Sequence, residues 1–220
     1  MEKILGVDEA GRGPVLGSLF IGGFMVNEQD LEKVEELGAK DSKKLSDKKR
    51  ERLAKELKEI GEPFLKEIEA SEIDELREVM SLNEIEIQGF CDVIERSDAD
   101  KILVDLPEPD GDRFINKMKR ELPTRFRERD FVAEHGADET YPIVSAASIT
   151  AKSAREKHIE ELHSKYGYDF KSGYPHDSPT ISFLEKYVEE KGRLPTETRR
   201  SWSTAEKILK KAGQKGLGDF

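Results

Sequence analysis

Carboxylates at the ends of short apolar stretches are the first residues in this chain with the types and spacing to do chemistry. Asp8 and Glu9 close the run that starts at Ile4, Asp105 closes KILVD (Lys101–Asp105), and Asp138 lies just past Phe131–Ala133. Each run reads as a β-strand, and ligands of α/β sheets gather at strand ends. For any one of these acids alone, ending a strand and facing water is the better account. Four brought together repel one another and need a counter-charge. Hard divalent cations supply it: Mg²⁺ takes a few carboxylates, waters and phosphate oxygens. Two such ions roughly 3.5–4 Å apart serve in-line phosphodiester hydrolysis. Successive strand residues point to opposite faces, so Asp8 and Glu9 converge only if the first strand breaks at Glu9. Gly11 and Gly13 are placed to permit that break.

The glycine-rich stretch GRGPVLG (Gly11 to Gly17) has two readings. A dinucleotide fingerprint needs a helix directly after the glycines, but Pro14 and the strand-like LFIGGFMV follow instead. A turn between hairpin strands also uses glycine. Its exposed amides at Gly11 and Gly13 approach a sugar or phosphate closely, with Arg12 beside them for charge. The four histidines give no metal pattern: His158 and His163 are five apart, and His135 and His176 fall in loops. There is no Ser-His-Asp spacing and no P-loop.

The elements that must position these residues follow from periodicity. Strands are expected at Ile4–Asp8, Leu19–Val26, Pro63–Ile68, Lys101–Asp105 and Phe131–Ala133, with Leu19–Val26 central because both its faces are apolar. Helices are expected over Gln29–Leu37 (closed by Gly38), after the cap Ser46 with Leu53, Leu57 and Ile60 inward, and after Ser71 and Ser81. Ile85, Phe90 and Cys91 face inward in the last of these, Cys91 as a small core residue. Further helices are expected over Arg113–Glu121, Tyr141–Tyr166, Pro179–Glu190 and Ser203–Lys211. Ser145, Ala146, Ala147 and Ser148 let the long one pack closely on a sheet. Strands clustered first and then alternating with helices indicate an α/β domain with a mixed sheet.

Composition bounds the class. The chain has 220 residues, 35% apolar and 38% charged, with a net charge of −10. No apolar run approaches the ~18 residues of a membrane helix, and MEKILGVDEA lacks the apolar core of a signal peptide. One cysteine excludes an internal disulfide framework and any multi-cysteine zinc site. A cytoplasmic, monomeric protein without membrane contact is expected. The acidic sum argues against a protein that coats nucleic acid, yet the charge is uneven. Thr150 to Phe220 holds 14 basic and 11 acidic residues, net +3; the remainder holds 23 and 36, net −13. Phosphate contacts from few cations imply a shallow salt dependence of nucleic-acid binding.

The chain resembles the ribonuclease HII (type 2 ribonuclease H) family, above all its archaeal members. The matching stretches are GVDEAGRGPVLG (Gly6 to Gly17), KDSKKLS (Lys40 to Ser46), ILVD (Ile102 to Asp105), AEHGADETYPIVSAASITAK (Ala133 to Lys152), SGYPHD (Ser172 to Asp177) and RRSW (Arg199 to Trp202). They lie in family order over nearly the whole chain. The resemblance implies an RNase H-like fold, with a five-stranded mixed sheet flanked by helices (residues 1–166) and a C-terminal helical extension (167–213) that binds substrate. It implies metal-dependent endonucleolytic hydrolysis of RNA in RNA–DNA hybrids. It also implies cutting on the 5′ side of ribonucleotides embedded in duplex DNA, giving 3′-hydroxyl and 5′-phosphate ends. Asp8, Glu9, Asp105 and Asp138 resemble the catalytic acids that hold Mg²⁺ or Mn²⁺, two ions when substrate is bound. Gly11, Arg12 and Gly13 resemble the loop that senses the 2′-hydroxyl, Tyr174 the aromatic that stacks near the deoxyribose, and Ser42 and Lys43 phosphate contacts. The 2′-OH is the group that locally separates RNA from DNA.

The sequence departs from the family at Gly136, where the family usually has Lys, which removes a cation near the metal site. LPEPDGD after Asp105 adds acids, with Asp110 and Asp112 expected in solvent, while Trp202 is open between packing and substrate contact. At the C-terminus Gln214, Leu217 and Phe220 fit Q-x-x-L-x-x-F, which resembles the motif that binds the replication sliding clamp, PCNA. Leu217 and Phe220 would form an apolar plug on a tail (214–220) kept flexible by Gly216 and Gly218. Competing readings are another nuclease of the same fold, such as a junction resolvase, a catalytically silent clamp-tethered module, and a dinucleotide binder.

Overall fold

The computed structural model describes residues 1–38, 46–106 and 111–217, and the side chains of all of these except 47 and 214–217. The strands are β1 (Lys3–Ala10), β2 (Leu19–Asn27), β3 (Glu62–Ile68), β4 (Lys101–Asp105) and β5 (Asp130–Glu134). They form one sheet in the order β3-β2-β1-β4-β5. β1 runs antiparallel to β2 and parallel to β4, and β4 runs parallel to β5. This is the mixed five-stranded sheet the periodicity implies. β2 is buried at every position but its last, as a central strand apolar on both faces must be.

The helices are α1 (Leu31–Glu36), α2 (Asp47–Leu57), α3 (Ala70–Leu76), α4 (Leu82–Glu95), α5 (Gly111–Glu121), α6 (Thr124–Arg127), α7 (Ala137–Thr140), α8 (Pro142–Tyr166), α9 (Ser178–Lys191) and α10 (Ser203–Leu217). Adjacent glycines of β2 show how the helices reach the sheet. A Cβ on Gly22 would lie 2.4 Å from the Ala147 carbonyl oxygen of α8, and one on Gly23 would lie 2.5 Å from Val93 Cγ1 of α4. Neighbouring strand residues point to opposite faces, so α8 covers one face and α4 the other. Gly6 repeats the close approach: its Cβ would lie 2.3 Å from the Ile143 carbonyl oxygen. The small residues of α8 do pack tightly on the sheet.

The chain divides into two compact units. The first comprises Met1–Ala10, Phe20–Glu67 and Leu82–Arg155, and contains nearly all of the sheet. One side of its core joins Ile4, Phe24, Val26, Val34, Leu53, Leu57 and Leu103 to Ile143, Val144 and Ala147. The second comprises Gly11–Leu19, Ile68–Ser81 and Glu156–Phe220. There Val15 and Leu16 of the glycine-rich turn are buried with Ile159, Leu162, Phe170, Phe183, Leu184 and Ile208. Phe183 stacks on Phe170 at 5.3 Å between ring centroids.

Three expectations change. β1 does not break at Glu9: Glu9 and Ala10 stay paired with Ile21 and Phe20, because the ladder continues to the glycine-rich turn. Of the tail expected over 214–220, Gln214–Leu217 is helical backbone, the end of α10, and residues 218–220 lie outside the described residues. The helix formers Lys207, Leu209, Lys210, Lys211 and Ala212 carry α10 past Gly213 and Gly216, each of which costs about 1 kcal/mol against alanine. Ser46 occupies the N-cap position of α2, but its side chain makes no cap hydrogen bond. Cys91 is a buried core thiol as expected, its pKa pushed up to about 12 chiefly by desolvation.

Candidate metal and catalytic centre

The acids reach one place because of strand register. Asp8 pairs with Gly22 on β2, so it shares the face on which α8 lies. Val7 pairs with Val104 on the parallel strand β4, which sets Asp105 beside Asp8 at the carboxyl ends of the two strands. β5 leads through the left-handed residue Gly136 (φ 66°) into α7, which carries Asp138. One carboxylate oxygen from each of Asp8, Asp105 and Asp138 lies within 4.8 Å of the others. Asp105 is further fixed by accepting a hydrogen bond from the Ala137 N–H at 2.8 Å. Glu9 falls outside this trio because the unbroken strand turns it to the opposite face, although its charge still acts on Asp8. Its N–H donates to Asp8 Oδ1 at 2.8 Å.

Asp8 and Asp138 are only 4% and 2% exposed, a costly place for negative charge. Desolvation holds the Asp8 carboxyl well above the usual carboxylate range, and the charges of Glu9 and Asp105 push it further. Two groups oppose them, Ser148 and Lys152. Both project from α8 four residues apart, hence from one face of the helix. The fully buried Ser148 hydroxyl approaches Asp8 closely enough to favour its charged form without reaching full hydrogen-bond geometry. Lys152 Nζ stands 3.8 Å from Asp138 Oδ2, so a cation attends this acid although position 136 is glycine. Three clustered carboxylates of net negative charge are hard oxygen donors and fit a Mg²⁺- or Mn²⁺-like ion. Neither Ser148 nor Lys152 is legible as a site residue, since Ser148 reads first as a small packing residue and nothing local sets Lys152 apart from the other lysines.

The Gly11–Gly13 turn belongs to the second unit and is held by one buried cation. Arg199, fully buried, donates from Nη2 to the Gly11 carbonyl (2.6 Å), from Nη1 to the Arg12 carbonyl (2.8 Å) and from Nε to the Gly17 carbonyl (2.9 Å). Trp202 Nε1–H donates to the Gly13 carbonyl at 3.3 Å, and the Arg199 guanidinium lies 5.0 Å from the Trp202 ring centroid. Trp202 is thus a packing and anchoring residue of this turn. In a trans peptide the N–H points opposite the C=O, so the amides of Arg12 and Gly13 face away from Arg199. Tyr174 lies against the same turn: a Cβ on Gly13 would sit 3.1 Å from its ring. The preceding Gly173 carbonyl accepts from the N–H groups of Val15 and Leu16, which ties the two loops together. Ser42, Lys43, Asp110 and Phe220 lie outside the described residues, as do the side chains of Gln214 and Leu217.

Residues 5–205 match the sequence profile of the family Ribonuclease HII. The ribonuclease HII of Methanothrix thermoacetophila is 41% identical over 209 residues, covering 94% of this chain and 98% of the relative. The chain belongs to the ribonuclease HII family. Its fold is that of the RNase H-like enzymes: the crystal structure of ribonuclease H2 from Pyrococcus horikoshii OT3 superimposes with a TM-score of 0.90 at 41% identity, covering 96% of this chain and 99% of that one. The RNase HII in the PCNA complex from Archaeoglobus fulgidus gives a TM-score of 0.84 at 36% identity, covering 93% and 96%. Membership makes the chain a ribonuclease H, a hydrolase of phosphodiester bonds in RNA. Among the described residues no helix is long and apolar enough to cross a membrane.

Proposed function

We propose that this ribonuclease H cleaves the RNA strand of RNA–DNA hybrids and also cuts on the 5′ side of single ribonucleotides in duplex DNA, leaving 3′-hydroxyl and 5′-phosphate ends. The observation that carries the reading is the approach of carboxylate oxygens of Asp8, Asp105 and Asp138 to within 4.8 Å of one another, with Asp8 and Asp138 buried and Asp105 half-buried. These three would hold divalent Mg²⁺ or Mn²⁺, with Glu9 contributing negative charge beside Asp8. Two such ions supply an activated water and charge stabilisation at the leaving 3′-oxygen. Asp138 is the acid paired with Lys152, which moderates its charge and suits it to positioning water or easing product release. The outward amides of Arg12 and Gly13 and the Arg12 side chain read the 2′-hydroxyl, a group DNA lacks. Tyr174 offers its ring to the deoxyribose on the DNA side. Ser42 and Lys43 contact phosphate, and residues 167–213 contribute to gripping the duplex.

The relative from A. fulgidus was solved with PCNA. By the same Q-x-x-L-x-x-F pattern, Gln214, Leu217 and Phe220 dock this enzyme on a sliding clamp. Cleavage mapping on a duplex with one ribonucleotide, in Mg²⁺ and in Mn²⁺, tests the main reading. One cut 5′ of the ribonucleotide is expected, and cuts elsewhere or none refute it.

A further inference from the structure

The 199–202 turn, which carries Arg199 and Trp202 to the glycine-rich loop, has an anchor of its own. Asp74, on α3, accepts from the Arg200 N–H at 2.7 Å, the Ser201 N–H at 3.0 Å and the Ser201 hydroxyl at 2.7 Å. Both carboxylate oxygens are used. The donors lie before the first residue of α10, so Asp74 is not capping that helix. At the other end of the turn the Arg199 N–H donates to the Val15 carbonyl at 2.9 Å.

We propose that Asp74 is a positioning residue for the Gly11–Gly13 loop, acting through the 199–202 turn. A guanidinium at the end of a long side chain can meet three carbonyls only if its own Cα is fixed. Val15 fixes it on the hairpin side and Asp74 on the other. With the turn held, the carbonyls of Gly11, Arg12 and Gly13 stay occupied from behind and the amides of Arg12 and Gly13 stay presented. With the turn loosened, the guanidinium and indole share several arrangements and the amides lose their common direction. Preorganisation of this kind acts on recognition rather than on the acids. The proposal rests on the reading of the loop as the ribonucleotide sensor.

The experiment compares binding of a duplex carrying one ribonucleotide with binding of the all-DNA duplex, in EDTA, for the wild type, Asp74→Ala, Asp74→Asn and Gly13→Ala. Asp74→Ala is expected to lower the preference for the ribonucleotide about fivefold, the scale of coupling within one hydrogen-bond network, and to leave all-DNA affinity unchanged. Asp74→Asn, which keeps one acceptor oxygen, falls between Asp74→Ala and the wild type. A lowered preference in Gly13→Ala with a wild-type preference in Asp74→Ala overturns the proposal alone. An unchanged preference in Gly13→Ala overturns the sensor reading and the proposal with it. Equal weakening on both duplexes in Asp74→Ala marks a merely structural role and also overturns it.

Discussion

Replacing Gly22 with alanine adds one methyl group at the seat of the helix that serves the acids. The new Cβ would lie 2.4 Å from the Ala147 carbonyl oxygen and 2.7 Å from the Ala151 nitrogen, where ordinary contacts begin near 3.4 Å. Both obstacles are backbone, so α8 must retreat from the sheet by about 1 Å or the strand must bend. Overpacking of this kind costs about 1–3 kcal/mol, and the rigid obstacles favour the upper end. The entropy recovered by removing a strand glycine offsets roughly 0.5–1 kcal/mol. A net loss of about 2 kcal/mol lowers the melting temperature by about 4–8 °C for a chain of this size. The same retreat draws Ser148 and Lys152 away from Asp8 and Asp138, and a misplacement of about 1 Å can cost roughly a hundredfold in rate. Calorimetry and kcat on an RNA–DNA hybrid, measured well below the melting transition, give the two readouts. A Gly22→Ala protein that melts within about 1 °C of the wild type and keeps its kcat would refute the reasoning that α8 is seated through this glycine.

Asp8→Asn is expected to abolish cleavage yet raise the melting temperature in chelator at neutral pH. A carboxyl whose pKa is raised in the folded state binds its proton more tightly there, so its stabilisation is complete below the ordinary value of 3.8 and is lost as pH rises through the raised one. Wild type in chelator should therefore melt lower as pH rises from about 4, the slope should flatten in Asp8→Asn, and divalent ions should restore only the wild type. Arg199→Met leaves the carbonyls of Gly11, Arg12 and Gly17 without their donor, a loss of about 3 kcal/mol that chemical denaturation reads as a lower midpoint; an unchanged midpoint contradicts the clamp. Deleting Gln214 to Phe220 should remove sliding-clamp binding in surface plasmon resonance and leave hybrid hydrolysis unchanged.

Strand ends are readable because apolar runs that stop on acids are local signals: Asp8 and Asp105 close such runs, and Asp138 lies just past one. Glu9 shows the limit. Whether a strand breaks depends on the ladder opposite, and the pairing of Glu9 with Ile21 is not written in DEAGRG. Ser148 and Lys152 were hidden for a related reason, since which face of a 25-residue helix meets the acids is decided by Gly6 and Gly22 on distant strands. The role of Arg199 was further from reach: its guanidinium crosses 188 residues of sequence to the Gly11 carbonyl. The helical backbone of Gln214–Leu217 shows local propensity prevailing over Gly216.

Mn²⁺ titration of the wild type and of Asp105→Asn, followed by the loss of the free ion's paramagnetic resonance signal, bears most directly on the claim that acids from β1, β4 and α7 share an ion. Asp105→Asn removes one charge from the trio while its amide oxygen can still accept from the Ala137 N–H, so the fold should melt no lower than the wild type does. At least tenfold weaker Mn²⁺ binding is expected, a loss of about 1.4 kcal/mol, together with lost cleavage and retained hybrid binding. Equal Mn²⁺ affinity in the two proteins would contradict it.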